Sequence, residues 1–174
     1  MKGDKELPSE YVSIRQVWLQ NINRCVQAVS DRAKPDVNYE ADWREIGNRT
    51  VINTVEILFH SLVNFGEAIV RSEVDDYIKK VYNPNIAKFW DSWEGRITTN
   101  YVKKKFPELT TSYEINNKKE ELREGRTSVS RCWDNCADEA IKLYDFIIKT
   151  LNKYGMLFEQ QPRGYSNVQM RAIE

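Results

Sequence analysis

Apolar residues recur at spacings of three and four along most of this chain, and that one regularity confines it to helices. In the clearest stretch, Val129, Trp133, Cys136, Ala140, Tyr144, Ile147, Leu151 and Tyr154 fall on one side of an α-helix. Gly155 follows at once, where helices commonly close in a left-handed turn. An earlier helix is predicted from Ser9, read as its N-cap, through Tyr11, Ile14, Trp18, Ile22, Cys25 and Val29. Pro35 stops it, because the residue before a proline is pushed out of the helical region. Residues 35–41 read as a linker.

Asp42 and Glu45 form an Asp version of the capping box, and a stripe of Trp43, Ile46, Val51, Val55, Leu58, Leu62, Phe65 and Ile69 continues through Val74, Ile78 and Val81. The spacing predicts one long helix over 42–82, roughly 60 Å if unbroken, with a kink or break expected at Gly66 or in the acidic Ser72–Asp76 stretch. Asn83 as N-cap and Pro84 at the first helical position then start a further helix, with Ile86, Phe89, Trp90, Trp93, Ile97 and Tyr101 on its face. It ends in Lys103, Lys104 and Lys105, ahead of Pro107. From 107 to 126 the pattern weakens. Thr110–Ile115 reads as a short extended piece, Asn117–Glu124 as a short exposed helix, and Gly125 as its end. The plan is an all-α fold resembling a four-helix bundle, one domain over 1–174 with a polar tail at 159–174.

A chain of 174 residues, 41% of them hydrophobic, buries roughly 70% of its unfolded surface and needs no disulfide or structural metal to hold a core. No apolar stretch follows Met1–Glu6, so neither a secretory signal nor a transit peptide is expected. Cys25, Cys132 and Cys136 are too few for a disulfide framework and fit a reducing compartment. The most apolar window, Val51–Val70, contains Asn53, Glu56, His60, Asn64 and Glu67, each costly in hydrocarbon. It reads as a core helix rather than a membrane span, and the protein is expected to be cytoplasmic.

Catalytic signatures are sparse. His60 is the single histidine, and Glu56 and Glu67 share its helix face, which is half of a carboxylate-bridged metal site in a bundle. The second half, a Glu-x-x-His pair on another helix, has no residues to supply it. Cys132 and Cys136 stand one turn apart, a spacing that suits two thiolate ligands, but Cys136 lies on the apolar stripe and core filling is the expected role. No Gly-x-Ser-x-Gly elbow accompanies His60, and the glycines form neither a Walker loop nor a dinucleotide fingerprint. No catalytic residue, metal or cofactor is assigned, and a non-enzymatic protein is expected.

The basic and aromatic content carries more. Trp90, Trp93, Arg96, Tyr101, Lys103, Lys104 and Lys105 fall along one predicted helix, followed by Lys118, Lys119, Arg123, Arg126 and Arg131. Bases stack on aromatic rings beside cations that track a phosphate backbone, so Lys103, Lys104, Lys105, Lys118, Lys119, Arg123, Arg126 and Arg131 are the candidate nucleic-acid contacts. Against that stand the core spacing of the tryptophans and the favourable placement of lysines at a helix C-terminus.

The formal charge is zero, 26 basic against 26 acidic, but the signs are segregated. Residues 1–35 carry 6 basic and 4 acidic groups (+2), residues 36–76 carry 3 and 9 (−6), and residues 77–174 carry 17 and 13 (+4). The blocks can attract one another within the fold, or meet between subunits, where complementary patches set register. The opening Pro8-Ser9-Glu10-Tyr11-Val12, with Trp18, resembles the start of rod-shaped plant-virus coat proteins, a resemblance that implies a helical bundle polymerising on RNA. The leading expectation is a non-enzymatic helical protein acting through protein–protein contacts, a homo-oligomer or a partner of another helical protein, in a structural or scaffold role. The alternative is a nucleic-acid-binding bundle, such as a coat protein or a small ribonucleoprotein subunit.

Overall fold

A computed structural model describes residues 9–33, 41–65 and 68–155, which form an all-α protein with no strand among the described residues. The predicted tail at 159–174 lies outside the described residues. Helix α1 spans Ser9–Ala33 and α2 spans Ala41–Phe65. Ser9 is the first helical residue of α1 and Asp42 falls in the first turn of α2, so neither stands outside its helix as the predicted cap.

The long helix over 42–82 is not one element. Helix α2 ends at Phe65 and α3, Ala68–Tyr77, begins beyond the undescribed pair 66–67, whereas the acidic Ser72–Asp76 stretch lies inside α3 without a break. Its acids carry their own support, since Asp75 pairs with Lys79 at 3.0 Å and Asp76 with Lys80 at 3.5 Å, one turn on.

Asn83–Pro84 does not start a new helix. A π-turn, Ile78–Tyr82, links α3 directly to α4, Asn83–Asp91, and the Asn83 N–H donates to the Ile78 carbonyl in the wide five-residue spacing. Proline has no N–H and its ring collides with the carbonyl one turn back. Widening the turn just ahead of Pro84 lets the chain stay helical through it, with φ/ψ of −61/−43 at Asn83.

Nor does this helix reach Tyr101. Ser92 folds its hydroxyl back to the Phe89 carbonyl at 2.8 Å, Trp93 turns extended (φ −66, ψ 133), and a short 3-10 turn, Glu94–Arg96, leads to α5, Thr99–Lys105. The stretch read as extended is mostly helix: α6 spans Ser112–Arg123, started by a capping box in which Thr111 and Glu114 satisfy each other's backbone N–H. Gly125 ends the α6 segment at φ +80, a conformation only glycine adopts cheaply. Helix α7, Val129–Lys153, follows from the Ser128 N-cap and closes before Gly155 at φ +66.

Two cores result. The main one gathers Trp18, Ile22 and Cys25 of α1, Val51, Val55, Leu58 and Leu62 of α2, Val70 and Val74 of α3, Tyr82, and the α7 stripe from Ala137 to Leu151. Helix α1 packs on α2, α2 on α7, and α7 on α3 and α4. Asn48 near the start of α2 bonds Asp134 near the start of α7, so these two helices run parallel, while α3 and α4 return antiparallel, bringing Glu73 to Lys153 and Asn85 to Glu139. The second core is small: Ile97, Val102 and Ile115, with Tyr101, Phe106, Leu109 and Leu122 around them, hold α5 and α6 together as a hairpin.

That hairpin is pinched off at its base. Glu94 N–H donates to the Thr127 carbonyl and Thr127 N–H to the Ser92 carbonyl, each at 2.9 Å, so residues 94–126 leave and re-enter the main body at adjacent points.

Among the described residues the ion pairs between helices do not follow the charge blocks. Of the ion pairs between helices, Lys153–Glu73 joins the basic block to the acidic one, but Arg32–Asp138 and Arg44–Asp134 run from arginines of α1 and α2 to acids of α7.

Candidate functional site

Glu56 and His60 are both exposed on α2, the His60 ring leans on Phe59, and Glu67 lies outside the described residues. Among the described residues no three His, Cys, Asp or Glu side chains come together in a way that would hold a metal. All three cysteines are buried. Burial pushes the Cys25 and Cys136 thiols up to about 11 and raises Cys132, whose sulfur faces the Phe89 carbonyl at 3.3 Å. Burial thus favours the protonated thiol over the thiolate, the form that attacks or ligates.

The basic residues divide into two sets. Lys103, Lys104 and Lys105 occupy the last turn of α5 with their ammonium groups exposed, and Lys105 rests against Tyr101, its Nζ 3.1 Å from the phenol oxygen. Lys118, Lys119 and Arg123 face inward to the hairpin. Lys118 lies 4.8 Å over the Phe106 ring and bonds Glu121, Lys119 donates to Thr99 at 3.2 Å, and the Arg123 Nε is buried without a hydrogen-bond partner. Lys119 thus ties α6 to α5, and Lys118 ties it to Phe106 at the end of α5.

Arg126 and Arg131 meet at the base of the hairpin. They line one hollow of about 480 Å³ together with Arg44 of α2, the hydroxyls of Thr127, Ser128 and Ser130, and Asp134. Arg44 grips Asp134 through both its Nε and a terminal nitrogen, and Asp134 also accepts from the Asn48 amide at 2.8 Å. Asn48 is 1% exposed and accepts from Arg32, which in turn pairs with Asp138 at 3.0 Å. This network locks the end of α1 and the starts of α2 and α7 together, and so fixes one wall of the hollow.

Tryptophan surrounds the same corner. Trp90 packs edge-on against Trp133 at 5.0 Å and against Trp93 at 5.6 Å, while the Arg49 guanidinium lies 4.5 Å over the Trp133 ring. All three rings are half-buried and none belongs to the main core, despite the core spacing that the sequence suggests. Arg44 and Arg49 are the residues that sequence reasoning missed. More than 75 positions separate them from Arg126, and the packing of α2 on α7 brings Arg44 into the hollow with it and Arg49 over the neighbouring Trp133 ring.

What the arrangement offers is guanidinium forks, hydroxyl donors and aromatic edges around a concave surface, a set suited to binding anionic oxygens. Comparison of the chain with protein-family models, with curated proteins and with solved structures finds no match in any of the three, the coat-protein resemblance of the opening residues included.

Proposed function

We propose that this chain is a non-enzymatic protein of four-helix-bundle type that binds single-stranded nucleic acid where the hairpin 94–126 joins the bundle. The observation that carries this reading is the convergence of Arg126 and Arg131 on one hollow, beside the tryptophan cluster, with the Lys103–Lys105 run exposed on the same hairpin. The hairpin itself carries 8 basic and 6 acidic residues, so the affinity comes from placed contacts rather than from a broad positive field. On this reading the protein is intracellular and its partner is a phosphate-bearing strand.

The test is binding of a labelled oligonucleotide across a salt series. Five cations, Lys103, Lys104, Lys105, Arg126 and Arg131, each neutralising one phosphate, give a log–log slope of about −3.5, a loss of roughly 100-fold between about 50 and 200 mM salt. Replacing the three lysines with alanine leaves two contacts, a slope of about −1.4 and a loss of only about sevenfold over the same range. No binding to RNA or DNA at low salt removes the reading.

A second reading is self-association, and apolar side chains left at the surface favour it: Ile46 and Ile57 project from the same side of α2, at 52% and 44% exposure, and Val26, Val63 and Ile69 are also exposed. A second copy of the chain covers these residues on this reading, in a structural or scaffold assembly. Sedimentation at low and high salt separates the two, since apolar self-association persists in salt while strand binding does not.

A further inference from the structure

The hollow at the base of the hairpin holds more positive charge than its own acids answer. Asp134 is the one carboxylate in its lining, and it is already paired, as is Asp91, whose carbonyl Arg126 contacts. Asp91 pairs with Arg96, and Asp134 takes Arg44 on both its oxygens and Asn48 as well. Arg131 and Asp134 are three residues apart on α7, the spacing of an intrahelical ion pair, yet no such pair forms. Arg126 donates to the Asp91 carbonyl at 2.9 Å, a neutral acceptor that leaves its charge uncompensated.

The hydroxyls sort in the same way. The Ser92 hydroxyl donates to the Phe89 carbonyl, so the 2.9 Å contact between Ser92 and Thr127 consumes the Thr127 hydrogen. Ser128 accepts the Arg131 N–H through its oxygen, which keeps its own hydrogen, and Ser130 has no partner among the described residues. Two like charges opening on one concavity repel, and two hydroxyl donors stand beside them. An anion with about two charges and several acceptor oxygens relieves both conditions.

Resting on the nucleic-acid reading, we infer that this hollow receives a terminal phosphate monoester, the end of a strand, rather than a phosphodiester from its interior. A monoester carries close to two negative charges and three terminal oxygens near neutral pH, matching two uncompensated guanidinium groups. A backbone diester carries one charge and leaves one arginine unanswered. The lysines of α5 then hold the interior phosphates, while Arg126 and Arg131 read the end.

The experiment compares one oligonucleotide sequence in three forms, with a 5′-phosphate, with a 3′-phosphate and with neither, by fluorescence anisotropy at about 50 mM salt. The inference expects one phosphorylated form to bind about tenfold more tightly than the unphosphorylated strand, the worth of a charge-assisted hydrogen-bonded contact. Which end gains the affinity assigns the polarity of the strand. Arg131→Ala, at an exposed position whose cap is made by backbone and Ser128, should weaken every form but erase the gain, so that phosphorylated and unphosphorylated strands bind alike, whereas Lys104→Ala on α5 should weaken all forms and keep the tenfold ratio.

Equal binding of all three forms overturns the inference and leaves the nucleic-acid reading standing. Should no strand bind at all, the nucleic-acid reading fails, and melting with inorganic phosphate then decides the hollow by itself. A rise in melting temperature beyond that in chloride of equal ionic strength, absent in Arg131→Ala, upholds a phosphate site, and no such rise removes it.

Discussion

Replacing Asn48 by alanine tests the network that aligns three helices behind the hollow. The Asn48 amide oxygen accepts from the Arg32 Nε and its nitrogen donates to Asp134 at 2.8 Å, with the residue 1% exposed. Hydrogen bonds to charged partners contribute about 1.5–3 kcal/mol each. Both partners keep other contacts, Arg32 with Asp138 at 3.0 Å and the Asp134 carbonyl at 3.3 Å, and Asp134 with Arg44. The two losses are therefore not fully additive, and the expected cost is about 2–3 kcal/mol, or about 5–10 °C in melting temperature for a chain of this size. Urea denaturation read at constant m-value measures it. Asn48→Asp keeps an acceptor for Arg32 but sets a second carboxylate against Asp134, and should cost at least as much. A change within about 0.5 kcal/mol for both variants would refute the argument that this buried amide holds the helix ends in register.

Other outcomes follow from the same geometry. Gly95→Ala should weaken the base of the hairpin, because a β-carbon there would meet the Trp93 ring at 2.2 Å; loss of Trp fluorescence change on strand binding, with most of the thermal stability retained, is the expected signature. Replacing residues 94–126 by a short Gly/Ser link should leave a folded helical protein, since the ends already sit within hydrogen-bonding distance at Trp93 and Thr127; circular dichroism and a cooperative melt check it. Stability should fall on the alkaline side. Cys25 and Cys136 ionise near 11 when folded against an ordinary value near 9, so the unfolded chain gives up protons first and gains population from about pH 9 upward. Tyr82 and Tyr144, pushed up to about 12 by burial, extend the loss to higher pH, and melting as a function of pH with Cys25→Ala and Cys136→Ala as controls reports the thiol share.

Helix type was legible in this sequence wherever burial and periodicity coincided. Of the predicted α7 stripe, Cys136, Ala140, Ile147 and Leu151 are buried, whereas Val129 is exposed and Trp133, Tyr144 and Tyr154 are half-buried; because the helix is packed on two sides, Cys132, Ala137 and Leu143 beside the stripe are buried as well. Boundaries were less legible. Pro84 reads as a helix start by its local rule, and it is tolerated mid-path because a wider turn relieves the clash, an accommodation that leaves no mark in composition. Trp93 and Ile97 continue an apolar period, yet the helix ends before them, since Trp93 has Trp90 to pack on while the flanking Ser92 and Glu94 backbones bond Thr127. Half of the candidate site was visible as a basic run. The other half, Arg44 and Arg49, depends on α2 lying parallel to α7, a long-range fact that no local window contains.

The π-turn at Ile78–Tyr82 has a consequence for angular phase. One residue in a helix accounts for about 100° of rotation, so the additional residue in the wide turn swings everything after it by that amount relative to α3. It is this offset that aims Asn85 at the buried carboxylate of Glu139, 3.0 Å away, and Trp90 at Trp133, while Val70 and Val74 still point into the same core. Deleting a single residue here would restore a regular helix and at the same time turn Trp90 away from α7. The corner where the hairpin departs is thus set by a phase shift made more than one full turn earlier in the chain.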